Sequence, residues 1–560
     1  MSLEMNRREA IALGFASVAS LSLPALAETD APSSAVVQAH DAKLKPMMDA
    51  QITDPQSRWC GAIPDQSGLH HCNTAAGFFR DGAAAYVHPE SAFHADRALF
   101  ERMKLAAEFL NRSQNAQGNI DLISTNFNSP PDTAFVVHSV ACAAQLAQMN
   151  HDEEVVSLVE GFLRRAGQGL AKGGIHTPNH RWVVCAALAQ IHELFPDDQY
   201  IKRIDQWMAE GIDIDGEGQF TERSTAGYNA VVDCALVVAA HKLRRPKLLD
   251  PVRKNLDAMA YLLHPNGEVV TEISLRQDLN ARGTMSGYWF ALRYMAIHDG
   301  NGLYASMLKP LEPESIELSK LMEYPELLKS VPPATPIPED YERALPLSGI
   351  TRIRRGKTSV TIMHKDNSRW IALRRGEAVV NAVRFASSFF GKGQFIPATF
   401  EKREDGFHFT QELQGVYFQP LTDPALLPVA GTEYGRLRPR RDTSEVCHLL
   451  YEGHIRETSQ GIEISIQADG TDGVPLAVEI NLREGGALSG VTAIPGASES
   501  FLLNEGMGEY RVGSDGIRFG PGHHEHSYVH VRGAQAKLPG PSVYVTGYTP
   551  FRHTLRFELA

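Results

Sequence analysis

Four clusters of polar residues stand at the beginnings of four strongly apolar helical patterns in the first two thirds of the chain. They occupy residues 126–132, 176–180, 222–229 and 276–278. Their amides, imidazoles, carboxylates and phenol can bind polar ligands and transfer protons. Because each cluster lies in a loop that leads into a helix, we expect all four to meet at one end of a helical assembly and to form one shared site.

Two kinds of helical pattern alternate in this part of the chain. Amphipathic patterns lie near 97–112, 152–166, 199–210 and 247–263, and patterns that are apolar on nearly every side lie near 133–149, 181–195, 228–243 and 285–298. A helix that is apolar on every side must be covered on every side, whereas an amphipathic helix has one face in water. The alternation predicts an (α/α) toroid of helical hairpins, with an inner and an outer ring.

In such a toroid the inner helices point the same way, so their N-termini gather at one end, which we call the mouth. Unpaired backbone N–H groups and the helix dipoles create a field there that favours anions. The chain carries a net charge of -12, yet its mouth is suited to a carboxylate.

The composition changes at the proline-rich run 331–338. After it, short alternating runs separated by Gly, Asn and Asp turns are typical of antiparallel β structure, and Gly461-Ile462-Glu463-Ile464-Ser465-Ile466 is one example. We predict an α+β multidomain protein with a toroid at 35–335, a linker at 336–345 and an antiparallel β-sandwich at 346–560.

Residues 1–27 have the composition of an export signal. Arg7-Arg8 precedes an apolar run, which ends at the cleavage pattern Ala25-Leu26-Ala27. The paired arginines fit the twin-arginine route, and the general secretory route is an equal alternative. Because the apolar run is short for a membrane span, we expect an exported protein, periplasmic or secreted, with no membrane span in its mature form.

Composition also excludes some partners and scaffolds. A net charge of -12 does not provide the basic surface that nucleic acid requires. Six cysteines in 560 residues are too few for a fold built on disulfides. Cys142, Cys185 and Cys234 lie in apolar helical runs and are expected to be buried free thiols, whereas Cys60 and Cys72 can be either bridged or free.

Three motifs stand out beside this architecture: Asn179-His180-Arg181-Trp182, the run 215–224 followed by Tyr228, and His364-Lys365-Asp366-Asn367-Ser368-Arg369-Trp370. With the toroid and the β domain, they resemble the two-domain polysaccharide lyases of the heparinase II/III and alginate lyase kind. The resemblance implies an enzyme without a required cofactor that acts on an anionic polysaccharide or oligosaccharide. It implies β-elimination, in which a uronic acid loses its C5 proton and expels the group on C4.

The elimination chemistry gives roles to particular residues. A carboxylate opposes the carbanion that forms beside it, so the site must neutralise or hydrogen-bond that carboxylate and must supply an acid and a base. The resemblance implies that Asn179 and His180 hold the carboxylate and that Tyr228, with His364, transfers protons. Simpler roles are also open: Asn179 as a helix N-cap, Tyr228 as a buried aromatic and His364 beside an ordinary hairpin turn.

The remaining polar residues of the clusters are predicted to bind the substrate. They are Asn126, Asn128, Asp132, His176, Glu222, Arg223, Arg276, Gln277 and Asp278. Arg276 can either form a bidentate contact with a substrate carboxylate or pair with Asp278. Ser129 and the two prolines after it are explained by the start of a helix, which does not account for Asn126 or Asn128.

The run 522–530 holds the densest group of histidines in the chain. If it forms a strand, His524, His526 and His530 share one face. His524 and His526, with a carboxylate from a neighbouring strand, would then suit a structural zinc ion. Histidines that alternate along a strand are equally compatible with a solvated face.

Two other functions stay open on the sequence alone. A toroid glycoside hydrolase would use paired carboxylates, for which Asp132, Glu222 and Asp278 are the candidates. A non-catalytic carbohydrate-binding protein would use aromatic pairs of the β domain such as Phe389-Phe390 or Tyr417-Phe418. The sequence does not decide which uronate glycan is bound, whether cleavage is internal or terminal, or the oligomeric state.

Overall fold

A computed structural model describes residues 32–312 and 315–559 of the chain. The export signal predicted at 1–27 lies outside the described residues. The chain divides into two compact units: a helical unit that extends to Leu263 and includes Gly267–Pro338, and a β unit made of His264–Asn266 and Glu339–Ala560. None of the helices in the described ranges combines the length and the apolar character needed to cross a membrane.

The helical unit consists of helices joined by ordered loops and one small two-stranded sheet. Its helices are α1 (Ser34–Ala50), α2 (Cys72–Val87), α3 (Arg97–Ser113), α4 (Pro130–Met149), α5 (Glu153–Lys172), α6 (His180–Leu194), α7 (Asp198–Met208), α8 (Tyr228–Leu243), α9 (Leu249–Met259), α10 (Trp289–Asp299), α11 (Gly302–Leu308) and α12 (Leu318–Glu323). Strands β1 (Ile120–Leu122) and β2 (Asn126–Ser129) pair antiparallel just before α4.

The buried helices form one row and the amphipathic helices flank it. α2, α4, α6, α8 and α10 pack against one another in this order, and α3, α5 and α7 form a second row outside them. Nearly every residue of α6 is buried, whereas α5 buries one face and exposes the other. The predicted fold class, a helical toroid followed by a β domain, is confirmed.

A similar tight turn leads into the mouth at two places. The side-chain oxygens of Asn115 and Asp215 each accept hydrogen bonds from backbone N–H groups two and four residues later. Gly118 and Gly218 occupy these turns with φ of 86° and 82°. A Cβ atom at Gly218 would lie 2.3 Å from the carbonyl oxygen of Lys254. The turns therefore require glycine, and they direct the chain toward the start of the next inner helix.

Residues 317–328, here called the crossing segment, run across the opposite ends of the inner helices. The segment contacts α2 through Glu317 Oε2 and Arg80 Nη1 at 3.3 Å, and α4 through the Ser319 carbonyl oxygen and Cys142 Sγ at 4.0 Å. Glu323 Oε1 lies 3.4 Å from both Gln190 Nε2 of α6 and Lys242 Nζ of α8. The Leu327 carbonyl oxygen accepts a hydrogen bond from Arg293 Nε of α10 at 2.7 Å. α4, α6 and α8 thus share one direction, with the crossing segment next to their C-terminal halves. The segment meets α2 and α10 near their middles.

The β unit contains two stacked sheets. Its strands are β3 (Asp340–Leu345), β4 (Ile350–Arg355), β5 (Thr358–Met363), β6 (Ile371–Arg375), β7 (Ala378–Ser387), β8 (Thr399–Arg403), β9 (Gly406–Phe418), β10 (Thr443–Thr458), β11 (Gly461–Gly470), β12 (Pro475–Leu482), β13 (Ala487–Ser489), β14 (Thr492–Ala493), β15 (Ser500–Leu502), β16 (Gly508–Val512), β17 (Asp515–Gly520), β18 (Ser542–Tyr548) and β19 (Phe551–Glu558). A short helix, α13 (Tyr434–Leu437), lies between β9 and β10.

One sheet has the strand order β14-β15-β18-β12-β7-β6-β5-β4-β3, and the other has the order β13-β16-β17-β19-β11-β10-β9-β8. Their strands pair antiparallel, except that β15 and β18 are parallel. Aromatic side chains including Trp370, Phe385, Phe409 and Tyr451 fill the space between the sheets. Alternating apolar residues on the inner faces build this core, as expected for a β-sandwich.

Two details differ from the sequence predictions. β3 begins at Asp340, inside the predicted linker, because the strand pairs with β4 from Asp340–Arg355 to Leu345–Ile350. The cysteines are all free, including Cys60 and Cys72. Cys142 and Cys185 are buried as predicted, whereas Cys234 is only partly buried.

Candidate active site

Three of the four polar clusters are joined by direct contacts at the N-terminal ends of α6 and α8. The Asn179 amide nitrogen donates a hydrogen bond to Glu222. The other carboxylate oxygen of Glu222 lies 3.2 Å from Nε of Arg276, and the Arg276 guanidinium lies 5.0 Å from the centre of the Tyr228 ring. Residues that are far apart in the sequence therefore form one continuous chain of contacts at the mouth.

The start of α6 is anchored by the residues that follow His180. Trp182 donates from Nε1 to Asp213 Oδ1 at 2.8 Å, and Arg181 Nη2 lies 2.9 Å from the same oxygen. The helix begins at His180, and the side chain of Asn179 makes no capping hydrogen bond. Asn179 is thus not the helix cap that the sequence left open, and its amide is directed to Glu222 instead.

The Asn179 amide is buried and only partly satisfied. Its nitrogen donates to Glu222 and to Thr177 Oγ1, the latter at 3.3 Å, whereas its oxygen has no hydrogen-bond partner within the described ranges. The Glu222 carboxylate sets this orientation because it would repel an amide oxygen. The group that Asn179 offers to a ligand is therefore an acceptor, unless its N–H groups leave Glu222.

His180 is a buried imidazole with one nitrogen left over. Its Nδ1 has no hydrogen-bond partner among residues 32–312 and 315–559, and its ring meets the ring of His176 edge-on at 4.7 Å. Burial, helped by the neighbouring His176 and Arg276, lowers the pKa of His180 to about 4. The Asp132 carboxylate acts in the opposite direction, but its effect is smaller than that of burial. The imidazole is neutral at pH 7 and can act as acceptor or donor.

Tyr228 is the first residue of α8 and is positioned by a network of hydrogen bonds from the neighbouring loops. Its backbone N–H donates to Ser224 Oγ at 3.0 Å, and Ser224 Oγ donates to Asp278 Oδ1 at 2.9 Å. Asp278 also accepts hydrogen bonds from the Ala226 N–H and from Ser274 Oγ. Asp278 therefore joins two mouth loops to each other, so it does not pair with Arg276 as one sequence alternative proposed.

The Tyr228 side chain differs from an ordinary core tyrosine. It is half-buried, and its hydroxyl donates to no group in the part of the chain that the structure describes. Tyr288, at the start of the next inner helix, is fully buried and donates to the Thr225 carbonyl oxygen at 2.7 Å. The comparison shows a satisfied structural tyrosine beside one whose hydroxyl is free for a ligand.

The first cluster lies next to His180, but its side chains form hydrogen bonds with one another and with the adjacent loop. Asp132 accepts hydrogen bonds from Asn126 Nδ2 at 2.9 Å and from Ser129 Oγ at 2.5 Å. Asn128 has a φ of 49°, and its side-chain oxygen accepts from Asn115 Nδ2 at 2.6 Å. Asn126 and Asn128 thus have structural partners that sequence reasoning did not foresee.

Three further predicted site residues are placed at the periphery. Arg223 has a φ of 47° and lies 3.7 Å from Asp215, so its charge is paired within its own loop. His176 and Gln277 are exposed. Sequence reasoning missed Asp213 and Thr177, although Arg181 and Trp182 directly after His180 indicated that an acidic partner must lie nearby.

In the β unit, His364 directly follows β5 and is the first residue of the connection to β6. Its Nε2 lies 2.9 Å from Thr351 Oγ1, and its ring stacks on Phe400 with the ring centres 4.0 Å apart. Burial lowers the pKa of His364 to about 4. Asp366, with a φ of 57°, forms the turn between the strands. The ordinary hairpin turn and a neutral imidazole are therefore both present, and neither of the two roles considered for His364 excludes the other.

The histidine-rich run 522–530 does not form the strand on which the zinc hypothesis depended. Residues 521–541 form an irregular segment between β17 and β18, because the glycine and proline at its start end the regular pairing of β17. His526 Nε2 contacts the Gly547 carbonyl oxygen at 2.9 Å and His524 Nε2 contacts Ser527 Oγ at 3.4 Å. No group of three metal-ligating side chains in the described ranges includes either histidine.

Comparison with known proteins supports the architecture alone. No protein-family model matches the sequence, and no curated protein matches it. Among solved structures, a Paenibacillus xanthan lyase is similar with a TM-score of 0.54 at 11% sequence identity, over 94% of this chain and 57% of that chain. A chondroitin AC lyase from Streptomyces coelicolor A3, in complex with chondroitin sulphate, gives a TM-score of 0.55 at 13% identity, over 94% and 77% of the two chains.

This chain therefore spans little more than half the length of the xanthan lyase and about three quarters of the chondroitin AC lyase. At such low identity the similarity shows the fold. The fold is that of the two-domain polysaccharide lyases, a helical toroid followed by a β-sandwich, and the expected resemblance is confirmed at this level.

Proposed function

We propose that the protein is a polysaccharide lyase that cleaves a uronic-acid-containing glycan by β-elimination. The observation that carries the proposal is the contact chain from Asn179 through Glu222 and Arg276 to Tyr228, with the neutral His180 beside it. The fold shared with the xanthan and chondroitin AC lyases supports it. Export through residues 1–27, to the periplasm or the medium, is part of the same proposal because polysaccharides lie outside the cell.

The uronate carboxylate is held at the N-terminal ends of α6 and α8. Arg276 supplies positive charge, the helix ends supply a favourable field, and His180 can donate a hydrogen bond from its neutral ring. Asn179 contributes a donor when the substrate carboxylate replaces Glu222 as the partner of its amide. These contacts offset the negative charge that otherwise disfavours removal of the C5 proton.

Tyr228 transfers protons at the reacting carbons. Its deprotonated oxygen removes the C5 proton, and the Arg276 guanidinium lies over the ring. The C5 electron pair forms the C4–C5 double bond, the C4–O bond breaks, and the departing oxygen takes a proton from the phenol. One residue suffices when the C5 proton and the C4 oxygen lie on the same face of the sugar. When they lie on opposite faces, a second proton-transfer group is required, the role for which the resemblance suggested His364.

The hydrolase alternative gains no support from the mouth carboxylates. Asp132 accepts hydrogen bonds from Asn126 and Ser129, and Asp278 accepts three hydrogen bonds from its own loops. Glu222 is engaged by Asn179 and Arg276. A hydrolase needs one carboxyl group free to protonate the leaving oxygen and another to act across the bond. Asp132 and Asp278 are held within their own loops, so displacement of Glu222 from its contacts would free one carboxyl group and not a pair.

The test is a product analysis with alginate, glucuronan, glycosaminoglycans and bacterial exopolysaccharides as substrates. Elimination gives one unsaturated uronate, detected by its ultraviolet absorbance, for each new reducing end. New reducing ends without that absorbance would indicate hydrolysis instead. Binding of these polymers without any shortening would indicate a carbohydrate-binding protein.

A further inference from the structure

Two histidines and an aspartate converge on the outer face of the second sheet of the β unit. His408 Nε2 lies 2.8 Å from Asp405 Oδ1, and His454 Nε2 lies 3.7 Å from Asp405 Oδ2 and 3.1 Å from the Asp405 carbonyl oxygen. The ligating atoms of the three side chains all lie within 4.8 Å of one another. Within 32–312 and 315–559, no other set of three His, Cys, Asp or Glu side chains meets this spacing.

Strand register fixes this arrangement. His408 of β9 is directly opposite His454 of β10, and the two rings stack with their centres 4.2 Å apart. Asp405 lies in the two-residue turn that joins β8 to β9, where Arg403 pairs with Gly406. Gly406 has a φ of 140°, and a Cβ atom there would lie 2.3 Å from the Ile455 carbonyl oxygen and 2.8 Å from His454 Nε2. The turn is thereby pressed against β10, which holds Asp405 near both imidazoles.

The type of ligand points to a particular class of ion. Imidazole and carboxylate together suit zinc and its first-row neighbours, whereas calcium and magnesium prefer oxygen ligands alone. Zinc binds such atoms at about 2.0 to 2.2 Å, so small rotations of the side chains around a central ion satisfy all three. Both Nε2 atoms already point toward the aspartate, the orientation in which they would share one metal.

The site also has room for further ligands. It opens into a groove of about 460 Å³ whose lining includes Arg403, Glu452, Gln467 and Arg552. Water or a polar ligand can complete the coordination from that side. A three-residue protein site with open positions differs from a closed structural zinc site, in which four protein ligands surround the ion.

We propose that Asp405, His408 and His454 bind a divalent transition-metal ion of the zinc type and thereby fasten the β8–β9 hairpin to β10. The three residues belong to the β unit and have no role in the proposed elimination, so the proposal does not depend on the lyase activity. The site is also distinct from the loop histidines His524 and His526, to which the sequence assigned a zinc ion.

The test uses the full chain, stripped with a chelator, dialysed and then titrated with Zn²⁺, with bound metal and thermal unfolding as the measurements. We expect about one tight zinc ion per chain and a rise in Tm on binding. His408→Gln and His454→Gln should each weaken zinc binding by about 100-fold, since each removes one of three ligands. Binding should also weaken as the pH falls, because protons compete for the imidazoles.

His448→Gln is the matched control, because His448 lies on the same face of β10 beside Glu412, with a His–carboxylate distance of 3.4 Å but no second histidine. We expect zinc binding unchanged in this variant and in His524→Gln/His526→Gln. Wild-type chain without tight zinc, unchanged binding in His408→Gln/His454→Gln, or loss of binding only in the loop variant would each overturn the proposal.

Discussion

The two ends of the inner helices differ in how their buried polar side chains are paired. At the C-terminal end, Glu323 is buried with Lys320 and Lys242, and these lysines lower its pKa to about 2 despite burial. At the mouth, Asn179 and His180 are also buried, but each leaves an atom without a hydrogen-bond partner within the described ranges. The charge of Glu323 is thus satisfied within the protein, although Ser319 Oγ and Tyr324 Oη of the same segment have no hydrogen-bond partner in the part of the chain that the structure describes either. At the mouth it is the proposed site residues themselves that leave an amide oxygen and a ring nitrogen unpaired.

This difference distinguishes contacts that stabilise the fold from polar atoms that can bind a ligand. Buried polar groups cost free energy unless they are paired, and the unpaired atoms of Asn179 and His180 belong to residues that we propose to bind the substrate. Glu323 in the crossing segment is paired instead: it contacts Gln190 of α6, Lys242 of α8 and Lys320 within its own helix, α12. The account therefore predicts that substitutions at the mouth change activity and that substitutions at the crossing segment change stability.

The largest expected effect is that of Tyr228→Phe. The substitution removes the hydroxyl and keeps the ring, so turnover should fall by about 10²- to 10⁴-fold, the usual range for loss of a positioned proton-transfer group. Thermal unfolding should be unchanged because the hydroxyl donates to no described group. Tyr288→Phe is the control: it removes the hydrogen bond to Thr225 and should lower stability by about 1 kcal/mol, with turnover of the folded protein retained. Normal turnover of Tyr228→Phe would exclude the proposed role.

The second prediction concerns the crossing segment. Glu323→Gln leaves the buried Lys242 and Lys320 without their shared carboxylate, so the free energy of unfolding should fall by about 3 kcal/mol. Glu160→Ala, which breaks an exposed pair with Arg164 on α5, should cost less than about 0.5 kcal/mol. Chemical denaturation measures both. If Glu323→Gln abolished turnover without changing stability, the division between the two ends would fail.

Removal of the mouth cation should have a somewhat smaller effect. Arg276→Gln removes positive charge beside Tyr228 and Glu222 and should reduce turnover by about 10²-fold, as for loss of one electrostatic contact to a developing charge. Arg282→Gln is the control, since Arg282 is 70% exposed and pairs with Glu268. Steady-state kinetics on a polyuronate measures both variants. Equal turnover in the two would show that Arg276 takes no part.

The smallest predicted effect is a change in titration. Burial lowers the pKa of both His180 at the mouth and His138 of α4 to about 4. The pKa of a histidine in the unfolded chain is about 6.5. The contribution of each neutral imidazole to stability is therefore complete above about pH 6.5 and is lost as the pH falls toward about 4. A uronate bound at the mouth favours the charged imidazole and should raise the pKa of His180. The pKa of His138, which contacts Gln190 at 2.6 Å, should not change. NMR titration with and without ligand distinguishes them, and equal shifts would contradict the account.

Local patterns were sufficient to predict the helices and strands. α8 spans Tyr228–Leu243, the same residues that its apolar pattern indicated, and Ser129 caps α4 through the Asp132 N–H as its sequence suggested. These features depend on neighbours within a few residues. The inner helix α2 was not recognised, because its run of small residues, Ala83-Ala84-Ala85, gives a weak hydrophobic signal.

Contacts between distant segments could not be predicted in the same way. The sequence placed Asn179, Glu222 and Arg276 at one mouth, but the hydrogen bond to Glu222 that leaves the Asn179 oxygen buried and unpaired depends on how two loops meet. The pairing of Glu323 with Lys242 and the placing of His408 opposite His454 depend on packing and strand register. Alternation alone made 522–530 look like a strand, because the sequence pattern does not show which strand could pair with it.

Hydrogen–deuterium exchange of the full-length Tyr228→Phe variant, with and without a uronate oligosaccharide that the wild-type protein cleaves, tests most directly whether the mouth binds the substrate. The account predicts protection in peptides covering 176–182, 222–229 and 274–279 and unchanged exchange across 317–328. Protection of the crossing segment, or of the β unit alone while the three mouth peptides exchange as before, would contradict it.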